Sequence, residues 1–196
     1  MKRIITISRQ FGSAGRSIGK LVAEALGYAY YDKEIIEQLA EETGLSKKYI
    51  EQMGEYARGT NIFSYGFVGR TIDGMSIEDY LWQAQRNLIM DIASKENCVI
   101  VGRCADYILK DRNDVMNVFI HASMEKRAKR IVQIYGETDE KPEKRIRDKD
   151  KKRATNYKYY TDNTWGMAEN YHLALDSGEV GIEQCVKIIC SIVASL

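Results

Sequence analysis

The chain has 196 residues, a net charge of +1, and ordinary shares of apolar (44%) and charged (29%) residues. This composition excludes an intrinsically disordered chain, and no apolar run reaches the roughly 20 residues that span a bilayer. Four cysteines without a C-x-x-C pair and two distant histidines disfavour a structural zinc site. The first residues lack the apolar core of a secretory signal, so we expect a cytoplasmic protein with no membrane partner.

The nearly neutral total conceals a strongly basic stretch. Residues 124–153, here called the basic segment, contain 12 Lys/Arg and 7 Asp/Glu, and they include the sole proline, Pro142. The default interpretation of such a run is a solvated helix face. One alternative is a lid whose arginines close over phosphates. Another is a nucleic-acid surface that continues through the tyrosines of residues 157–160, although tyrosines at this density more often serve packing.

The first elements predict a βαβ unit. A β-branched run at residues 3–8 indicates a buried strand, and a glycine-containing turn follows at residues 12–17. Apolar residues at helical spacing then predict a helix over residues 18–26. A second strand at residues 28–31 completes the unit, which implies a right-handed crossover in a parallel sheet.

The rest of the chain continues this alternation. Two helices are expected within residues 33–56, followed by a glycine-aromatic loop at residues 58–74 and a helix at residues 77–95. The remaining predicted strands are residues 98–101, 115–120 and 172–176, and the remaining predicted helices are residues 105–110, 123–135 and 182–193. The whole pattern is typical of an α/β fold with a five-stranded parallel sheet.

The turn at residues 12–17, here called the glycine turn, predicts a phosphate-binding site. It joins a buried strand to a helix, so backbone N–H groups and the positive end of the helix dipole face the same ligand. Arg16 adds a charge, and the Ser17 hydroxyl can contact a phosphate-bound Mg²⁺. The predicted site comprises Gly12, Ser13, Ala14, Gly15, Arg16 and Ser17. A plain tight turn between strand and helix is the competing interpretation.

The glycine turn departs from the standard phosphate-loop pattern G-x-x-x-x-G-K-[ST]. Gln10 stands where the pattern has its first glycine, and Arg16 stands where it has lysine. Arginine is planar and bidentate, whereas lysine is a compact point charge, so the two are not equivalent at such a site.

Two further polar residues follow predicted strands directly. Asp32 lies beyond the second strand and Arg103 beyond the third. Ligands of open parallel sheets bind outside the carboxyl ends of the strands, so both residues should converge on one crevice with the glycine turn. A surface salt bridge is the alternative for each residue taken alone.

With these residues in place, the chain resembles bacterial cytidylate kinases and, more closely, the cytidylate-kinase-like proteins, over essentially its whole length. The most specific stretches are ITISRQFGSAGRSIG (residues 5–19), YDKEII (31–36), VIVGRCADYI (99–108) and VFIHASMEKRAKR (118–130). The resemblance implies a three-layer P-loop kinase fold, with its core in residues 1–32, 95–136 and 170–196. It also implies an acceptor-binding helical insertion at about residues 33–94 and a lid at about residues 137–165.

The resemblance also implies roles for individual residues. Arg103 matches an arginine that holds the acceptor phosphate, and Asp32 matches an aspartate of the acceptor site. Asp150 and Arg153 match a lid pattern in which the aspartate meets the sugar and the arginine meets phosphate. The candidate catalytic residues are therefore Arg16, Asp150 and Arg153.

The implied activity is an ATP-dependent phosphotransferase of the nucleoside monophosphate kinase type, with Mg²⁺, acting on a small phosphate-bearing acceptor. Lys33 and Cys104 replace residues that help to read cytosine, so the acceptor itself is not predicted. Arg58 and Arg70, in the glycine-aromatic loop, are further acceptor candidates, although this loop could instead be a subunit contact. The alternatives are a catalytically degenerate nucleotide-binding regulatory protein and, less favoured, a nucleic-acid-binding protein.

Overall fold

A parallel sheet of five strands organises the computed structural model, which describes residues 3–54 and 74–195. The strands are β1 Ile4–Arg9, β2 Ala29–Tyr31, β3 Cys98–Val101, β4 Val115–His121 and β5 Leu173–Asp176. The helices are α1 Gly15–Leu26, α2 Glu34–Thr43, α3 Lys47–Gly54, α4 Ile77–Lys95, α5 Ala105–Ile108, α6 Met124–Tyr135, α7 Pro142–Thr161, α8 Ser177–Val180 and α9 Ile182–Ser195. The predicted α/β fold is confirmed.

Strand β1 lies at the centre of the sheet, in the order β2-β3-β1-β4-β5. It pairs with β3 from Ile4 to Ile7 and with β4 from Ile4 to Arg9, and all six of its residues are buried. The connection after β1 leads to β2 on one side, whereas the connection after β4 leads to β5 on the other. Such a reversal between neighbouring strands opens a ligand crevice at their carboxyl ends, which here lies beside the glycine turn.

Helices cover both faces of the sheet. One apolar cluster joins β1, β3 and β4 to helices α1 and α9, with Ile18 and Ile189 fully buried. A second cluster packs α2, α3 and α4 against the opposite face, with Leu39 and Ile89 fully buried. These two clusters make the architecture three-layered, as predicted. Within the described ranges, no helix has the length and apolar character needed to cross a membrane.

Helix α7 shows what becomes of the basic segment. The helix begins at Pro142, since proline is tolerated in the first turn of a helix, and it continues through the tyrosine-rich stretch to Thr161. Its buried Ile146 packs with Ile131 of α6, which fixes α7 beside the glycine turn. The exposed face carries charge pairs such as Lys144 and Asp148, 3.6 Å apart. The basic segment is therefore partly a solvated helix face and partly an inward-facing surface.

Candidate active site

The glycine turn is held open by its backbone conformation. Gly12 and Ala14 have left-handed φ angles of 83° and 65°, and Ala14 directly precedes helix α1. The buried Ser13 hydroxyl lies 2.9 Å from the carbonyl oxygens of both Gln10 and Ile120. The first N–H groups of a helix have no partner within it, and left-handed residues at a turn aim such groups at a common point. The turn is therefore built as an anion-binding concavity.

A first pocket opens over the glycine turn. Arg16 lies at its exposed edge, where its Nε is 2.9 Å from an Asp32 carboxylate oxygen. Arg130 of α6 donates a hydrogen bond from Nη2 to the Ser17 hydroxyl at 3.2 Å. The residues around this pocket are Arg9, Gln10, Phe11, Gly12, Ala14, Gly15, Arg16, Ser17, Arg130, Ile131, Ile134, Tyr135 and Arg153. Four arginines thus surround a concavity that itself attracts anions.

A second pocket lies at the carboxyl end of β3. Its lining residues are Ser8, Arg9, Gly102, Arg103, Cys104, Arg153, Asn156, Tyr157 and Trp165. Arg103 is buried, and both Arg103 and Cys104 have left-handed φ angles, 59° and 52°. Residues other than glycine seldom adopt this conformation, and the strain it stores clusters at functional sites. Arg103 is therefore held at the second pocket by a strained backbone.

Two arginines belong to both pockets. Arg9, the last residue of β1, and Arg153 of α7 each line the first and the second pocket. Arg153 donates a hydrogen bond from Nη1 to the Arg9 carbonyl oxygen at 3.2 Å, so helix α7 is tied to the end of the central strand. A ligand in one pocket is therefore separated from a ligand in the other by positively charged side chains.

An ion pair fastens α7 to the glycine turn. Asp150 accepts a hydrogen bond from the Phe11 backbone N–H at 2.7 Å, and its other oxygen lies 2.5 Å from Arg127 Nη1 of α6. Both charged side chains are largely buried, and Arg127 Nη1 also donates to the Phe11 carbonyl at 3.3 Å. Desolvated charges of this kind persist only when they are paired and hydrogen-bonded. Asp150 therefore couples α6 and α7 to the backbone just before Gly12.

A buried acid lies beneath the second pocket. Asp106 of α5 accepts a hydrogen bond from the Tyr157 hydroxyl at 2.8 Å, and Tyr157 itself lines the pocket. Desolvation by burial raises the pKa of Asp106 to about 6, although the bond from Tyr157 acts in the opposite direction. Burial and the nearby Asp106 carboxyl also raise the pKa of the Tyr157 and Tyr171 hydroxyls, which therefore stay protonated.

Comparison with known proteins now decides the family. The sequence model of the cytidylate kinase-like family matches residues 4–179, which include both pockets. The chain belongs to the cytidylate kinase-like family. No protein of curated function matches it.

Solved structures place this family member among P-loop kinases in fold. A protein from Eubacterium ventriosum is 24% identical with a TM-score of 0.75, and the match covers 98% of this chain and 99% of that one. Shikimate kinase from Acinetobacter baumannii, in complex with shikimate, is 16% identical with a TM-score of 0.56, covering 98% and 93%. A gluconokinase from Sinorhizobium meliloti is 18% identical with a TM-score of 0.54, covering 97% and 91%.

In this cytidylate kinase-like chain, the sequence-predicted residues divide between the two pockets. Of the glycine turn, Gly12, Ala14, Gly15, Arg16 and Ser17 line the first pocket; Arg103 lines the second, and Arg153 lines both. The predicted Ser13 is buried against backbone carbonyl oxygens and is not among the lining residues. Asp32 reaches the first pocket through its ion pair with Arg16. Asp150 bonds to the backbone beside the turn, so its predicted contact with an acceptor sugar stays a prediction. Arg58 and Arg70 lie outside the described residues.

Sequence reasoning missed several residues of the site: Arg9, Asp106, Arg127, Arg130, Asn156 and Trp165. Arg9 carried a usable signal, because a charged residue ends an otherwise β-branched strand. Arg127 and Arg130 lie in the stretch at residues 118–130 that carries the family resemblance, but the resemblance gives neither of them a role in the site. For the buried Asp106 and Asn156 and the half-buried Trp165, no local pattern distinguishes them from packing residues.

Proposed function

We propose that the protein is an ATP-dependent phosphotransferase that moves the γ-phosphoryl group to a small acceptor carrying an anionic group. The observation that carries this proposal is the pair of adjacent pockets that share Arg9 and Arg153. Phosphoryl transfer needs an in-line arrangement of donor and acceptor and positive charge around the transferred group, with little covalent help from protein. Membership of the cytidylate kinase-like family supports the same reaction class.

The first pocket suits the donor. Backbone N–H groups of the glycine turn and the amino end of α1 would hold the phosphate chain, as in other helix-terminal phosphate sites. Arg130 lies at its rim, where it would contact the outer phosphate oxygens, whereas Arg16 lies at the exposed edge, paired with Asp32, and would contribute less. Helix α7, which carries Arg153, closes one side and would exclude water from the transferred group.

Ser17 is the residue that fits Mg²⁺. Ser17 lines the pocket, and a lone pair of its hydroxyl oxygen there accepts a hydrogen bond from Arg130. Oxygen atoms are the ligands that Mg²⁺ prefers, and in nucleotide sites most of them are phosphate oxygens and water. When bound, Mg²⁺ would neutralise charge on the phosphate chain. Ser17 would hold the ion once the Arg130 guanidinium released its hydroxyl oxygen.

The second pocket suits the acceptor. Arg103 would hold its anionic group, and Asn156 and Trp165 offer an amide and an aromatic edge to the rest of the molecule. We propose a nucleoside monophosphate as the acceptor class suggested by the family. The shikimate kinase and the gluconokinase among similar folds add hydroxy acids as the second class to be tested.

The experiment is transfer of label from [γ-³²P]ATP to a panel of nucleoside monophosphates, shikimate and gluconate, with and without Mg²⁺. We expect one class to accept label in a Mg²⁺-dependent reaction. Arg103→Gln should lower the transfer rate about tenfold or more, because a charged hydrogen bond to the acceptor is lost, while ATP affinity stays unchanged. Normal ATP binding without transfer to any acceptor would contradict the proposal.

The nucleotide-binding regulatory protein remains the second candidate. It is favoured by the lack of a lysine in the glycine turn and by the ion pair that already fastens α7 to that turn. It predicts ATP binding without turnover in the unmodified chain, and Arg16→Lys would then be the variant that confers activity. Measured turnover in the unmodified protein would remove this candidate.

A further inference from the structure

The position of Gly15 points to an unassigned role for Arg9. Gly15 is the first residue of α1 and is buried. A Cβ atom added at Gly15 would lie 2.5 Å from Arg9 Cβ and 2.9 Å from Arg9 Cγ, closer than real Cβ contacts allow. The stem of Arg9 therefore occupies the space in which a side chain at position 15 would have to start.

The Arg16 side chain is paired with Asp32 at the exposed edge of the first pocket. It stands where the standard phosphate-loop pattern has its lysine. Its side chain is 44% exposed and its Nε is bound to Asp32, which lies beyond the end of β2. An exposed, paired guanidinium is screened by water and contributes weakly to the field inside a pocket.

Arg9 has the burial and the fixed position that Arg16 lacks. It is only 5% exposed, it is the last residue of the central strand β1, and it lines both pockets. Arg153 bonds to its carbonyl oxygen and so fixes the backbone from which its side chain starts. Charge at such a sheltered and fixed position acts more strongly on a transferred group than charge in water.

We propose that Arg9, in place of the phosphate-loop lysine, contacts the phosphoryl group as it passes from the first pocket to the second. The assignment rests on the proposed function and deepens it. In the transfer, the bond between the γ-phosphorus and the bridging oxygen of ADP breaks as a bond to the acceptor oxygen forms. Arg9 exchanges no proton and bonds to the non-bridging oxygens. An acceptor phosphate attacks as the dianion and releases no proton, whereas an acceptor hydroxyl would release its proton to solvent.

The test compares ATP with AMP, which lacks the outer phosphates. Equilibrium binding in the presence of Mg²⁺ is measured for the wild type, Arg9→Gln, Arg9→Lys and Arg16→Gln. Lys20→Gln is the matched control, because it removes a cation from α1 whose Nζ lies 3.9 Å from Glu24, among residues that line neither pocket. Circular dichroism establishes that each variant is folded.

We expect Arg9→Gln to weaken ATP binding about tenfold or more, as loss of a charged hydrogen bond predicts, and to leave AMP binding nearly unchanged. Arg9→Lys should recover part of this loss, which a purely structural role would not predict, and Arg16→Gln should lose less than Arg9→Gln. If Arg9→Gln does not fold, Arg9→Lys is compared with Arg16→Lys instead. Arg9→Lys should then show the larger loss of ATP affinity.

Two results would overturn the assignment. One is ATP affinity in Arg9→Gln equal to that of the wild type, and the other is a larger loss in the Arg16 variant than in the Arg9 variant. Either would leave the proposed function standing, because the wild type would still bind ATP. A wild-type protein that binds no ATP would instead overturn the proposed function together with this inference.

Discussion

Asp150 of helix α7 accepts a hydrogen bond from the backbone N–H of Phe11, across 2.7 Å and 139 positions of sequence. This contact joins α7 to the residue that precedes the glycine turn. The same carboxylate is paired with Arg127, so α6, α7 and the turn meet at one buried charge. The position of α7 and the shape of the first pocket are therefore coupled.

Replacing Arg127 should destabilise the fold. Arg127→Met removes the cation that lies 2.5 Å from the largely buried Asp150 carboxylate and leaves Arg153, 3.9 Å away, as its charged partner. Breaking a buried pair in this way costs about 3 kcal/mol in the free energy of unfolding. Urea denaturation measures the change. Lys129→Met is the control, because Lys129 pairs with Glu125 on the exposed face of the same helix, and its loss should leave the unfolding midpoint almost unmoved. Equal effects of the two substitutions would contradict the buried role of Arg127.

Gly12→Ala should disturb the glycine turn by two separate effects. The left-handed φ angle of 83° is unfavourable for alanine, and the new Cβ would lie 2.8 Å from Ile131 Cγ2 and 3.0 Å from the Arg127 carbonyl oxygen. Gly44→Ala isolates the first effect, because Gly44 has a φ angle of 70° with nothing within 4 Å of the added atom. We expect about 1 kcal/mol of destabilisation for Gly44→Ala and clearly more for Gly12→Ala.

The same pair of variants also separates stability from ligand binding. Gly12→Ala should weaken binding of inorganic triphosphate, because the clash of the new Cβ with the Arg127 carbonyl and the Ile131 side chain displaces the backbone of the turn. Gly44→Ala lies far from the turn in sequence and should bind triphosphate as the wild type does. Isothermal titration of both variants checks this, and unchanged binding by Gly12→Ala would show that the turn does not hold phosphate.

Much of this arrangement follows from the sequence, and the reason is local. Apolar periodicity and stop signals predict all five strands and the helices α1 to α6 and α9, because each of these elements buries one face against its neighbours. Helix α7, whose charged sequence carries little apolar periodicity, and the short α8 are not among the predicted helices. The glycine turn is also recognisable, because Gly12 and Gly15 stand between a buried strand and a helix. Cys98–Val101 and Ile77–Lys95 begin and end where the sequence predicts.

The contacts that the sequence does not reveal join residues that are far apart in the chain. Asp150 looks like one more charge in a charged helix until Arg127 and Phe11 are placed beside it. The role proposed for Arg9 depends on the missing side chain of Gly15 and on Arg153 of α7, which lies 144 positions away. Contacts of this kind come from packing between elements and leave no periodic signature within any one element.

Asp106 should make stability depend on pH. Its folded-state pKa of about 6 lies above the ordinary value of 3.8, so its contribution to stability is fully present below pH 3.8 and is lost as pH rises through 6. The difference corresponds to about 3 kcal/mol. Asp106→Asn keeps an acceptor for the Tyr157 hydroxyl but cannot ionise, so it should gain stability relative to the wild type between pH 4 and pH 7.

Urea denaturation at pH 4, 5, 6 and 7 measures this difference. Asp114→Asn supplies a control of opposite sign, because the side-chain bond from Arg112 lowers the pKa of Asp114. Relative to the wild type, that variant should be less stable by a nearly constant amount above the ordinary pKa of 3.8, and the deficit should shrink only as pH falls below that value. A pH-independent difference between Asp106→Asn and the wild type would show that Asp106 titrates normally in the folded protein.

The stacked rings of Trp82 and Tyr160 should couple helix α4 to helix α7. Their centroids are 4.1 Å apart with an interplanar angle of 8°, and Tyr159 packs edge-on against Tyr160. A double-mutant cycle of Trp82→Ala and Tyr160→Ala should give a coupling of about 1 kcal/mol in the free energy of unfolding.

The same stack reports on motion of α7. If α7 moves as a lid when ATP binds, the contact between the Trp82 and Tyr160 rings must change. The emission of Trp82, read in a Trp165→Phe background, should then shift on addition of ATP and Mg²⁺, whereas constant emission with ATP bound would show that α7 stays docked on α4.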